Sequence, residues 1–92
     1  MKLIDAVRDL GTLDGEGTIY AVEPWTENST VVIEKEPATG GIPTNAQKFD
    51  MKYFLEVFIA RSFLEGWTAS IDVEPSLAEK CERLIYYAIH DA

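Results

Sequence analysis

Residues 52–60, Lys52-Tyr53-Phe54-Leu55-Glu56-Val57-Phe58-Ile59-Ala60, decide how this chain is read. All but one of the residues from Tyr53 to Ile59 are apolar or aromatic, and β-branched types mix with aromatic ones, a composition that suits a pleated, buried strand. Alternation sends Tyr53, Leu55, Val57 and Ile59 to one face and Phe54, Glu56 and Phe58 to the other. A half-exposed strand shows a polar second face. Here that face holds two phenylalanines around one carboxylate, so the stretch predicts a central strand covered by helices on one side and by something apolar on the other.

Upstream, residues 35–51 contain Pro37, Gly40-Gly41, Pro43 and Asn45 and read as a long irregular loop. The two glycines lack the lysine and following helix of a phosphate loop, which argues against nucleotide binding. Two further strands precede the loop, Thr18 to Glu23 stopped by Pro24 and Thr30 to Glu34 stopped near Pro37. Residues 24–29 join them as a hairpin-like connection, in which Trp25 either folds back to cap the core or anchors a partner. Asn28-Ser29-Thr30 matches a glycosylation sequon, which carries little meaning without a secretion signal. Residues 14–17, Asp-Gly-Glu-Gly, form a turn without the spaced oxygens of a calcium loop. Residues 2–10 read as a short amphipathic helix with Leu3, Ala6, Val7 and Leu10 inward, ended by Gly11.

Downstream, Ser62-Phe63-Leu64-Glu65 matches a capping box and predicts a short helical turn to about Trp67, limited by Gly66. Ser76-Leu77-Ala78-Glu79 repeats the signature and opens a helix over about 76–90 with Leu77, Cys81, Leu84, Ile85 and Ala88 as its buried stripe. Tyr86, Tyr87 and Ile89 widen that apolar surface beyond one stripe. The fold class is therefore α+β in a single domain, 1–92: an N-terminal helix, a three-stranded antiparallel meander, then a short helix and a longer C-terminal helix packed on the sheet. That inventory leaves the Phe54/Phe58 face thinly covered, and a homodimer across it or through sheet edges would hide it.

The 92 residues carry sixteen acids against eight bases, a net charge of −8. Such a field repels phosphates and anionic membrane surfaces, so neither nucleic acid nor membrane is an expected partner, while a basic protein is. No apolar run is long enough for a membrane helix. The acid at Asp5 prevents a signal-peptide apolar region, and the single Cys81 excludes an internal disulfide. A cytoplasmic location is expected.

Chemistry finds few footholds. His90 stands at a helix C-terminus, where a cation complements the dipole. Cys81 lies on the buried stripe with no histidine at helical spacing facing it. One histidine and one cysteine fall short of a zinc set, no serine has nucleophile-elbow glycines, and no catalytic residue, metal or cofactor is expected. Glu56 is the one acid set in an apolar strand face. It either pairs with Lys52, Arg61 or a second subunit, or acts on a water. Between Asp14 and Glu36 lie six acids and one base, a net of −5. That segment marks Glu23, Trp25, Glu27, Glu34 and Glu36 as candidates for docking a basic partner.

Residues 25–32 (Trp-Thr-Glu-Asn-Ser-Thr-Val-Val), residues 53–57 (Tyr-Phe-Leu-Glu-Val) and the helix end 84–92 (Leu-Ile-Tyr-Tyr-Ala-Ile-His-Asp-Ala) together resemble a small, uncharacterised bacterial family of acidic proteins of about a hundred residues. The chain also resembles the short reading frames carried on mobile gene cassettes and beside toxin genes. The resemblance implies an immunity protein or interaction module and transfers no catalytic residue. The expected function is thus a small acidic protein–protein interaction module, immunity- or adaptor-like. The alternative is a small-ligand-binding accessory protein, with a pocket between the sheet and the 35–51 loop lined by Phe54, Phe58 and Trp67.

Overall fold

The computed structural model describes residues 1–91. In chain order the elements are α1 (Leu3–Arg8), a 3-10 turn (Leu10–Thr12), β1 (Thr18–Val22), β2 (Val31–Glu34), α2 (Thr44–Lys48), β3 (Met51–Glu56), α3 (Val57–Ala69) and α4 (Leu77–His90). The fold is α+β, and all three strands pair antiparallel. Their order is β2-β1-β3, so β1 is central and β3 is an edge strand. A meander would place β2 in the middle. Here the chain leaves β2, crosses over β1 and returns on its far side.

The largest departure from the sequence reading is at Glu56-Val57. Strand β3 ends at Glu56, and Val57 opens a helix of 13 residues, so the downstream helix is a long one that starts well before Ser62. The junction is pinned by the Val57 amide, which donates to the Gly17 carbonyl at 3.0 Å. Val57, Ala60 and Leu64 then supply its buried stripe at helical spacing.

A β-bulge disrupts the alternation expected within β3. Leu55 pairs with Ile19 and Tyr53 with Tyr20, leaving Phe54 without an opposite number on β1. Both Phe54 and Leu55 consequently enter the main core, whereas Tyr53 is exposed. Phe54 is only 1 % exposed and Phe58, on the first turn of α3, is 56 % exposed. The two do not form one sheet face. The argument for a dimer across a Phe54/Phe58 surface therefore falls away.

The sheet separates two apolar clusters. On one side Ile19, Ala21, Val31, Phe54 and Leu55 pack with Leu3, Ala6 and Val7 of α1, the inner stripe of α3, and Cys81 and Leu84 of α4. On the other side Tyr20 and Met51 pack with Ala46 of α2, flanked by Val22, Val32 and Ile42. The 35–51 segment is thus not wholly irregular. Gly40 and Gly41 take left-handed conformations at φ 79° and 83°, and α2 follows to cover the second sheet face.

Helix α1 has a backbone N-terminal bond from the Lys2 amide to Asp5 Oδ2 at 3.1 Å. Gly11 lies inside the 3-10 turn instead of ending a longer helix. Arg61 of α3 fastens this region: its Nε donates to the Leu10 carbonyl at 2.7 Å, and Nη2 donates to the Leu13 carbonyl. Helix α4 begins with the expected capping box. The Glu79 amide donates to Ser76 Oγ at 3.1 Å, and the Ser76 amide donates to Glu79 Oε1 at 3.0 Å.

Candidate functional site

The β1–β2 connection is held rigid by its own side chains. The Thr26 amide donates to Ser29 Oγ at 2.8 Å, the Ser29 amide to the Thr26 carbonyl at 3.0 Å, and Ser29 Oγ to the Pro24 carbonyl at 3.3 Å. The other side of the loop is tied to α1, where the Ile4 amide donates to the Glu27 carbonyl and the Leu3 amide to the Ser29 carbonyl. Short polar residues favour such self-bonded turns because their hydroxyls replace backbone partners.

Trp25 folds back onto the core. Its Nε1 donates to the Ala21 carbonyl at 3.3 Å, and its ring meets Phe54 edge-on with centroids 4.9 Å apart. The ring is only half-buried, and its open side forms one wall of a groove of about 450 Å³. Thr26 and Glu27 continue that wall, and Glu82, Ile85, Tyr86 and Ile89 of α4 form the other. Tyr86 and Ile89 are large apolar residues more than half exposed. Positions 82, 85, 86 and 89 recur at i, i+3, i+4 and i+7, so α4 carries a second stripe on its outward side. The groove thus has an apolar floor and an acidic border.

Electrostatics place both border carboxylates around the same helix turn. Burial pushes the Cys81 thiol up to about 11, and Glu27 and Glu82 add to that rise. The thiol is fully buried and held protonated, which suits a packing role.

The other docking candidates are dispersed. Glu23 lies exposed just after β1, at the Trp25 end of the hairpin. Glu34 and Glu36 lie at the opposite end, because Glu34 pairs with Thr18 and Val31 with Ala21. Glu34 accepts a bond from Asn45 Nδ2 at 2.7 Å, and Lys35 meets Glu16 at 3.3 Å. The net −5 of the segment is therefore split between two ends of a sheet instead of forming one patch. The recruit that sequence reasoning missed as a site residue is Glu82, together with Ile85, Tyr86 and Ile89. The apolar breadth of the α4 end was the signal for it.

The small-ligand pocket does not form with its expected lining. Phe54 and Trp67 face the main core, Phe58 faces outward, and the space between sheet and 35–51 segment is filled by Tyr20, Met51 and Ala46. Glu56 is half-buried opposite Thr18. Of its suggested partners, Arg61 serves the Leu10 and Leu13 carbonyls and Lys52 lies 3.7 Å from Asp50. A second, wider groove of about 670 Å³ runs along Val7, Leu10, Arg61, Leu64, Thr68 and Lys80. Both of its cations are engaged, Arg61 as above and Lys80 with Glu74 at 3.1 Å.

Beside the groove on α4 the rings of Phe63 and Tyr87 stack at 4.1 Å, and the Arg83 guanidinium lies over Phe63 and Tyr86. Among the described residues no group of three or more His, Cys, Asp or Glu side chains converges. Nor, among the described residues, is any helix long and apolar enough to cross a membrane. No family model matches the chain, and comparison with curated proteins and with solved structures found no significant similarity.

Proposed function

We propose that this chain is a small acidic protein–protein interaction module, immunity- or adaptor-like, that docks a basic partner. The observation that carries the reading is the groove between Trp25 and the outer stripe of α4, with Glu27 and Glu82 beside the exposed side chains of Tyr86 and Ile89. Exposed apolar surface rimmed by polar groups marks interaction sites, and tryptophan and tyrosine supply most of the energy at such sites. The net charge of −8 supplies long-range attraction for a basic partner. Residence in the cytoplasm and an origin on a mobile bacterial cassette accord with this reading, which does not depend on either.

The test is affinity capture from the native host with the wild-type chain and with a Glu27→Gln/Glu82→Gln chain. The captured protein is then purified and titrated against both by calorimetry. Its expected isoelectric point is basic, and its affinity should fall for the variant and with added salt. A partner whose affinity ignores both the substitutions and the salt would remove this groove from consideration.

A further inference from the structure

The acid-bordered groove also constrains the conformation of what enters it, and resting on the docking reading above we infer that its occupant is a basic amphipathic helix. The groove offers chiefly side chains. In the loop wall, the amides of Thr26, Asn28 and Ser29 are bonded within the loop, and the carbonyls of Glu27 and Ser29 are taken by α1. The opposite wall is the flank of α4, whose main chain is bonded within the helix up to its last turn. An extended peptide in this groove would bring its amides and carbonyls against Ile85, Tyr86 and Ile89 and find no run of main-chain partners there. Addition of a strand, which depends on a free sheet edge, has no foothold here. A helix satisfies its own main chain and presents only side chains.

The dimensions agree. The stripe from Glu82 to Ile89 extends about 10 Å along α4, two turns of helix. A partner helix crossing it would place aliphatic residues at i, i+3 or i+4 and i+7 against Trp25, Ile85 and Ile89. Lysines or arginines on its flanks would then reach Glu27 on one wall and Glu82 on the other. The charges select against a second copy of this chain. Self-association through this groove would bring Glu27 and Glu82 against their own counterparts in a molecule that already carries −8.

The probe is an amidated leucine–lysine peptide of about 18 residues, roughly 27 Å as a helix, with leucines at helical spacing. It is compared with a scrambled peptide of the same composition and with one broken by a central proline. Binding to the whole chain is read by calorimetry, by tryptophan fluorescence and by the gain of helical circular dichroism. The amphipathic peptide should bind at least about tenfold more tightly than the scrambled and proline-broken ones and become helical on binding. Ile89→Ser and Glu27→Gln/Glu82→Gln should each weaken it, whereas Glu16→Gln/Glu36→Gln, which removes the same charge elsewhere, should not. All of these positions are exposed, so the variants keep the fold.

Equal binding of all three peptides that is still lost in Glu27→Gln/Glu82→Gln would overturn the helical occupant while leaving the docking of a basic partner intact. Absence of binding by any peptide would sink both. Light scattering supplies the remaining arm, since a micromolar dimer dissolved by Ile89→Ser would assign the groove to a second copy and refute the proposal.

Discussion

The Trp25 ring meets the Phe54 ring edge-on, at an interplanar angle of 85° and a centroid separation of 4.9 Å. One ring comes from the β1–β2 loop and the other from the bulge in β3, so the contact reaches from a loop on one side of β1 to the edge strand on the other. It also makes Trp25 a core cap and a groove wall at once, through opposite sides of the same indole.

Trp25→Ala should therefore destabilise the fold and not merely blunt a surface. Loss of a half-buried indole, its edge-to-face partner and its bond to the Ala21 carbonyl should cost about 2–4 kcal/mol. Trp25→Phe keeps the ring contact and loses the hydrogen bond, for about 1 kcal/mol. Urea unfolding measures both. A change below about 0.5 kcal/mol for alanine would show that the indole is only a surface ornament of the loop.

Some of this was legible in the sequence and some was not, for reasons that lie in the residues. Capping residues and turn formers act locally, which is why Ser76 and Glu79 located the start of α4 and Pro24 the end of β1. The stretch from Tyr53 to Ile59 is apolar at both a strand and a helix period, and no glycine or proline marks the change at Glu56-Val57. The spacing of Val57, Ala60 and Leu64 was the available helical signal, masked by reading Val57 and Ile59 as strand positions. The bulge at Phe54 then cancelled the alternation on which the face assignment rested. Strand order was likewise out of reach, because pairing β3 with the far side of β1 is decided by tertiary packing. The groove shares that limit: the outward stripe of α4 was visible, but not which loop would lie across from it.

Arg61 joins α3 to the segment after α1 by donating from one guanidinium to two carbonyls, those of Leu10 and Leu13. A planar fork can do this and a lysine ammonium cannot hold both in the same geometry. Arg61→Met keeps the aliphatic stem and removes the donors, with an expected loss of about 1.5–3 kcal/mol. Arg61→Lys should recover part of that. Equal stability of all three proteins in chemical denaturation would rule out a clamp.

The α4 capping box gives the fold an acid sensitivity. Bonds from the Ser76 amide and side chain hold the Glu79 carboxyl below its usual value of 4.5. A depressed folded value means that the contribution is present above about pH 4.5 and disappears as pH falls through the folded value. Glu79→Gln should flatten the acid limb of the stability profile, and Ser76→Ala should cost about 1 kcal/mol near neutrality. Acid limbs that superimpose for wild type and Glu79→Gln would contradict the assignment.

Cys81 governs the opposite limb. Burial, then Glu27 and Glu82, raise its thiol from 9.0 to about 11, so the folded chain keeps a proton that the unfolded chain releases. For a raised folded value the contribution is fully present below pH 9 and is lost as pH climbs towards 11. Stability should begin to fall near pH 9. In Cys81→Ala the fall should start later, near pH 10, where Tyr20 takes over because burial and Glu36 raise its phenol. The same burial predicts that a thiol reagent at pH 8 labels the unfolded chain and spares the native one. Docking at the groove sharpens the test, since neutralising Glu27 and Glu82 with a bound cationic helix would take away the two carboxylates that add to the rise. The Cys81-dependent loss should then be smaller and end at lower pH in the complex, with its onset near pH 9 unchanged. A Cys81-dependent loss of the same size and end point with a saturating basic peptide would place that peptide away from Glu27 and Glu82.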